Sequence, residues 1–233
     1  MNLCVIPARG GSKRISRKNI KRFYGKPIIA YSIEAAINSN CFSHVIVSTD
    51  NSEIAEVAKK YGAQVPFIRP DELSDDYAGT IPVIRHAIQW MEDNNNNFDN
   101  VCCLYATAPF IRSHTLSNAF NKLLSSKSHY CFSVTSFAFP IQRAISVKND
   151  NQVSMIYPEN FAKRSQELED TYHDAGQFYW GKVEAFKSEI PIFSEASYPY
   201  ILPRYLVQDI DTMEDWIMAE VMFKALSELK KIP

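Results

Sequence analysis

Residues 3–19 read LCVIPARGGSKRISRKN. Leu3-Cys4-Val5-Ile6 is a short apolar run of the kind that forms a buried strand. It empties into a loop with two adjacent glycines, Gly10 and Gly11, and five basic side chains: Arg9, Lys13, Arg14, Arg17 and Lys18. Glycine takes backbone angles closed to other residues, so the loop is expected to curl and aim successive N–H groups at one point. Ringed by cations, such a loop suits a polyphosphate. Its glycine spacing matches neither G-x-x-x-x-G-K-[ST] nor G-x-G-x-x-G, which sets aside the two best-known phosphate loops.

Outward from that strand the chain alternates. Pro27 opens an apolar-periodic helix running to Ile37. His44–Ser48 reads as a second strand, after which Asp50 or Ser52 is expected to cap a helix that Gly62 ends. Val65–Arg69 reads as a third strand and Thr80–Asp93 as a helix, with Thr80 suited to its N-cap. Val101–Tyr105, Ser113–Ser125 and Tyr130–Thr135 then read as strand, helix and strand. This alternation predicts an α/β fold, a Rossmann-like mixed but mostly parallel sheet with helices on both faces.

From Phe137 the rhythm breaks. Ile145–Val147 and Val153–Ile156 flank the turn Asn149-Asp150-Asn151, a hairpin signal. Tyr157–Asp174 is polar and aperiodic, as in a binding loop or an arm reaching a partner. Gln177–Trp180 and Tyr205–Val207 read as strands, and Trp216, Ala219, Phe223 and Leu226 share one face of a closing helix.

With 233 residues, 46% of them hydrophobic, the chain can bury one sizeable core. A formal net charge of −1 argues against nucleic acid or an anionic membrane as the main partner. No apolar stretch reaches the roughly 18 residues of a membrane span. No charged leader with a cleavable apolar segment precedes the first strand, so the cytoplasm is the expected location. The five cysteines include no C-x-x-C pair, and the five histidines lack metal-ligand spacing.

Ligands of open parallel sheets bind outside the C-terminal ends of the strands. Four segments are expected to meet there: the Arg9–Lys18 loop, Arg69 to Thr80, Tyr105–Pro109, and Asp209-Ile210-Asp211. In an extended segment Asp209 and Asp211 point to the same side, as two ligands for a hard cation such as magnesium require. Asp211-Thr212 could equally cap the last helix, with Glu214 and Asp215 favouring its positive end. Facing a polyphosphate loop, the metal reading gains.

PARGGSKRISRKN, Val-Ser-Thr-Asp (47–50), Arg-Pro-Asp-Glu-Leu (69–73) and Asp-Ile-Asp-Thr (209–212), in that order along essentially the whole chain, resemble the CMP-sialic acid synthetase family. Tyr-Ala-Thr-Ala-Pro-Phe (105–110) and Asp-Ala-Gly-Gln-Phe-Tyr-Trp (174–180) are similar to the pseudaminic acid branch. The sialic and legionaminic branches usually carry Gln-Pro-Thr-Ser-Pro and Asn-Gly-Ala-Ile-Tyr there. The resemblance implies a nucleotide-diphospho-sugar transferase fold with a small β-rich dimerisation insertion. Residues 1–136 would form the nucleotide-binding core and 137–174 the inserted arm, with 175–233 returning to the core.

The implied reaction joins CTP to a nine-carbon 2-keto sugar acid and releases pyrophosphate, for surface-glycan or flagellin glycosylation. Carried over by position, Arg9, Gly11, Ser12, Lys13, Lys18 and Asn19 belong to the nucleotide site, with Arg9, Lys18 and Asp211 catalytic. Asp209 and Asp211 would hold magnesium. The backbone at Ala8 and Gly10, with residues around Arg69 and Thr80, would read the base. The sugar acid needs a cation for its carboxylate, for which Arg143, Lys163 and Arg164 are candidates, Arg164 acting from the second subunit of a homodimer. Tyr105, Thr107, Gln166, His173, Gln177 and Tyr179 are its expected polar neighbours. An Asp-x-Asp glycosyltransferase is a second reading and a non-catalytic nucleotide binder a third. Pyrophosphate release separates both from the first.

Overall fold

The fold is described from a computed structural model over residues 1–75, 77–149 and 151–229. Asp150 of the expected 149–151 turn and the last four residues of the 175–233 segment lie outside these. The strands are β1 (Asn2–Pro7), β2 (Arg22–Phe23), β3 (Lys26–Pro27), β4 (His44–Ser48), β5 (Asn100–Leu104), β6 (Tyr130–Ser136), β7 (Ile145–Val147), β8 (Val153–Met155), β9 (Tyr172–Lys182) and β10 (Ser197–Ile201). The α-helices are α1 (Ile28–Asn38), α2 (Ser52–Lys60), α3 (Thr80–Asp93), α4 (Ser113–Ser125), α5 (Val183–Lys187) and α6 (Met213–Glu228).

Six strands form one sheet in the order β10-β6-β9-β5-β1-β4. Only β9 runs antiparallel to its neighbours, so the sheet is mixed and mostly parallel. Alternate β1 side chains feed opposite faces. Cys4 and Ile6 pack with α1, α2 and α4 through Ile29, Ile33, Ile54, Ala58, Leu116 and Leu123. Leu3 and Val5 pack with α3 and α5 through Ile84, Ile88, Met91 and Phe186.

A third apolar cluster decides where the site lies. Phe23 and Ile28 join Ile15 of the basic loop to Trp216, Phe223 and Leu226 of α6. Phe23 meets Trp216 and Phe223 edge-on at 5.5 and 5.4 Å between ring centroids. Edge-to-face packing adds about 0.5–1.5 kcal/mol per pair to the area buried. The N-terminus of α6, with Asp209 and Asp211 just ahead of it, is thereby held against the loop that follows β1.

Two strand expectations are corrected. Val65–Arg69 is no strand: Gln64 bridges Ile46, and the chain then follows the edge with Arg69 N–H bonded to Thr49 O at 2.8 Å. Pro66 and Pro70 lack the N–H groups a ladder needs. Tyr205–Val207 is part of a 3₁₀ turn, Arg204–Leu206, begun by the fixed φ of Pro203. β10 and α5 carry no expectation from the sequence; Pro199 hides β10, and it is tolerated because β10 is an edge strand.

All five cysteines are unpaired, and burial raises the thiols of Cys4, Cys102, Cys103 and Cys131, the last to about 12. They act as core residues. Among the described residues no helix is long and apolar enough to cross a membrane.

Candidate active site

The basic loop is fixed by backbone and side-chain bonds rather than by unusual glycine angles. Neither Gly10 nor Gly11 has a positive φ; the left-handed residue in this stretch is Arg17. What Gly10 supplies is space, since a Cβ there would come within 3.0 Å of Asn51. Asn51, rather than Asp50 or Ser52, caps α2, accepting from the N–H groups of Glu53 and Ile54 at 3.0 Å. Asp50 is thus left to accept from Gly10 N–H at 2.8 Å and to face Arg69 at 3.8 Å. Ala8 N–H donates to Ser48 O at 2.9 Å, and Asn19 Nδ2 donates to Arg9 O at 2.9 Å, pinning both flanks of the loop.

Two cavities open beside it. The first, ≈350 Å³, is lined by Arg9, Ser12, Lys13, Arg14, Lys18, Asn19, Arg69 and Thr80, together with Tyr105 and Thr107 among others. Arg69 is only 4% exposed. Burial, and then Arg9, weaken its hold on its proton while Asp50 opposes them. Thr80 is not the N-cap of α3, a position Gly79 holds; its hydroxyl instead meets Tyr105 Oη at 3.1 Å.

The second cavity, ≈490 Å³, shares Tyr105 and Thr107 with the first and adds His173, Asp174, Tyr179, Arg204 and Asp209. A register shift between β6 and β9 forms part of its wall. Gly176, at φ 58°, gives N–H to Asp174 Oδ1 at 3.0 Å, and Tyr179 Oη donates to the other Asp174 oxygen. Bulges of this kind re-aim side chains next to sites.

Lys18, in the wall of the first cavity, reaches the segment that walls the second. Its Nζ donates to Ile210 O at 2.7 Å and lies 3.3 Å from Asp211 Oδ1, while Arg14 holds Asp211 Oδ2 at 2.9 Å. Arg14 therefore belongs to the site, whereas Arg17 turns away to pair with Glu53. Helix capping is done by Thr212 and Asp215, whose carboxylate accepts from the Thr212 and Asp211 N–H groups, so the Asp211 carboxylate is left to Lys18 and Arg14. Burial and then the Asp211 charge raise Asp209 above the usual carboxylate range. A cation bound between them would relieve that repulsion. Among the described residues no group of three or more His, Cys, Asp or Glu is placed to hold a metal. Asp209 and Asp211 could hold a cation of the magnesium kind, which takes one or two protein carboxylates and fills its other positions with phosphate oxygens and water.

Not every expected site residue lines a cavity. Ala8 is buried, and Gly10, Gly11 and Asp211 line neither cavity. Gln177 is buried, its amide tied to Leu206 O. Arg143, Lys163, Arg164 and Gln166 lie in the arm and line neither cavity. Asp50, Asp75, Asp174 and Arg204 are additional residues around the clefts. Asp50 and Asp174 lie inside recognised motifs, but nothing local distinguishes Asp75 and Arg204 from surface polar residues.

A cytidylyltransferase family model matches residues 3–232. The chain belongs to the cytidylyltransferase family. Of the relatives of this cytidylyltransferase, the pseudaminic acid cytidylyltransferase of Campylobacter jejuni subsp. jejuni serotype O:23/36 (strain 81-176) is 49% identical, over 97% of this chain and 98% of its own. The CMP-N,N'-diacetyllegionaminic acid synthase of Legionella pneumophila subsp. pneumophila (strain Philadelphia 1) is 33% identical over 97% of each chain. The solved structure of CMP:2-keto-3-deoxy-manno-octonic acid synthetase complexed with CTP matches at a TM-score of 0.69 and 15% identity. It covers 96% of this cytidylyltransferase and 98% of that chain, a likeness of fold.

Proposed function

We propose that this cytidylyltransferase joins CTP to a nine-carbon 2-keto sugar acid, with pseudaminic acid as the preferred substrate, giving the CMP-sugar and pyrophosphate. The observation that carries this is a pair of polar cavities that share Tyr105 and Thr107, with Lys18 of the first bonded to Ile210 O in the wall of the second. The first is cationic and sized for a nucleotide. The second is lined by the hydroxyls, carboxylates and guanidinium that a polyhydroxylated acid needs. The 49% identity to a pseudaminic acid enzyme, against 33% to a legionaminic one, supports the choice of sugar.

In the reaction the anomeric hydroxyl attacks the α-phosphorus of CTP, the bond to the β-phosphate oxygen breaks, and the hydroxyl proton passes to solvent. Phosphoryl-type transfer depends mainly on alignment and on neutralising phosphate charge. Arg9, Lys13 and Lys18 supply fixed charge along the triphosphate, and Ser12, Asn19 and the loop backbone hold its register. Arg69 and Thr80, in the wall of the same cavity, flank the base. Asp209 and Asp211 would hold magnesium, which when bound neutralises phosphate oxygens. Tyr105 and Thr107 belong to both cavities and orient the sugar toward the nucleotide, with His173 and Tyr179 beside it.

A homodimer is part of the same reading. The β7–β8 hairpin exposes Ile145, Val147 and Val153, and the arm on either side of it exposes Phe139 (82%) and Phe161 (74%). An apolar surface of this extent marks an interaction site, and it belongs to the arm expected to carry Arg164 into a second copy's site. Sedimentation equilibrium is expected to give twice the 26.6 kDa chain mass. A monomer with full activity would remove any role in trans for Arg164. The unpaired cysteines fit a reducing compartment, the cytoplasm.

The substrate test compares pseudaminic, legionaminic and N-acetylneuraminic acids with CTP and magnesium by pyrophosphate release. Pseudaminic acid is expected to give the highest kcat/KM. Preference for another acid would overturn the choice of sugar and leave the reaction standing.

A further inference from the structure

We propose that Arg204 binds the carboxylate of the sugar acid and thereby positions the attacking hydroxyl. The inference rests on the function proposed above, since it presumes a 2-keto acid in the ≈490 Å³ cavity. In such an acid the carboxylate is bonded to the carbon that bears the anomeric hydroxyl. Whatever group holds the carboxylate therefore also fixes the nucleophile.

The cavity poses an electrostatic problem that Arg204 solves. Asp174 and Asp209 both line it, so an entering carboxylate meets two carboxylates. Among the described residues Arg204 is the only lysine or arginine in its wall. Its Nη1 donates to an uncharged acceptor, Phe137 O, at 3.2 Å. A guanidinium has five N–H donors in a planar fork, so enough remain for two parallel bonds to a carboxylate.

The side chain stands on a rigid mount. Pro203 fixes the entry to the 3₁₀ turn Arg204–Leu206, Val207 N–H closes that turn on Arg204 O at 3.0 Å, and Leu206 is buried. Gln177 ties Leu206 O to β9. Arg204 thus lies on the segment that leads into Asp209, in the same wall. The other cationic candidates sit in the arm. Arg143 is engaged with Lys163 O, and the Arg164 backbone N–H with Glu167 at 2.9 Å.

The test uses full-length Arg204→Ala, Arg204→Lys and Arg204→Gln enzymes. Each is assayed by pyrophosphate release with the sugar acid and with its neutral C1 carboxamide. Arg204→Ala is expected to raise the KM for the acid about tenfold to a hundredfold, the worth of a charge-assisted contact. It should also lower kcat, while the KM for CTP stays within about twofold. Arg204→Lys should recover part of the loss. The wild type should prefer acid to carboxamide, and Arg204→Ala should lose most of that preference, which a purely structural role would not move. If Arg204→Ala fails to fold, Arg204→Gln carries the same comparison.

Retention of both the acid KM and the preference in either neutral variant would overturn the proposal. So would loss of the preference in Arg164→Ala but not in Arg204→Ala, which would give the carboxylate to the arm. Failure of the wild type to release pyrophosphate with any nine-carbon 2-keto acid would instead overturn the proposed function itself.

Discussion

Lys18→Ala is expected to lower kcat about a hundredfold or more, the cost of roughly 3–4 kcal/mol for one lost oxyanion donor. Lys18 lines the nucleotide cavity and bridges to Asp211 and to Ile210 O, and Ile210 lines the second cavity, so the Lys18 ammonium links the two walls. Charge placed there acts on the phosphate undergoing substitution, and the stabilisation it gives grows as charge builds on the phosphate oxygens. The loss should therefore fall on kcat more than on the KM for CTP. Steady-state pyrophosphate release at saturating CTP and sugar acid is the measurement. A near-normal kcat would remove Lys18 from the catalytic set.

Asp211→Asn is expected to cost more, on the order of a thousandfold in rate, because magnesium supplies several kcal/mol of charge stabilisation in reactions of this class. The substitution keeps the side chain's shape and removes its charge. It also unpairs Lys18 and Arg14, the two cations Asp211 now holds. The fold should survive, since Thr212 and Asp215 cap α6 without the Asp211 carboxylate. Thermal unfolding should shift little, and the magnesium concentration giving half-maximal rate should rise sharply. An unchanged magnesium titration would take Asp211 out of the metal site.

Much of the fold was legible because it is written locally. α3 and α4 run Thr80–Asp93 and Ser113–Ser125, the bounds their periodicity predicts, and β4 and β7 likewise match. Val65–Arg69 failed because apolar content outweighed two prolines in the reading, whereas in the chain the missing N–H groups decide. β10 failed for the converse reason, since Pro199 reads as a strand breaker until its edge position is known.

The site was legible in its motifs and illegible in its pairings. The basic loop and the Asp-x-Asp pair announce themselves by composition. Lys18 and Ile210 are 192 residues apart in sequence, and only the aromatic cluster of Phe23, Trp216 and Phe223 brings them together. Asp50 read as a helix cap and became a loop anchor once Asn51 took the cap. Gly10 read as a residue needing unusual angles and proved to be one needing room beside Asn51. Arg14 has no role assigned by the sequence, since its partner Asp211 lies in a segment that sequence spacing cannot bring near. Each of these depends on a contact made by tertiary packing, which no local pattern encodes.

In the proposed reaction the two cavities bring a sugar hydroxyl to the α-phosphate of CTP beside their shared wall of Tyr105 and Thr107, within reach of Lys18. Phosphorus NMR of the enzyme with CTP, magnesium and pseudaminic acid tests it directly. One pyrophosphate should appear for each CMP-sugar formed, with the CMP phosphorus joined to the sugar's anomeric oxygen. CTP bound but left intact, or consumed without a CMP-sugar, would contradict the account.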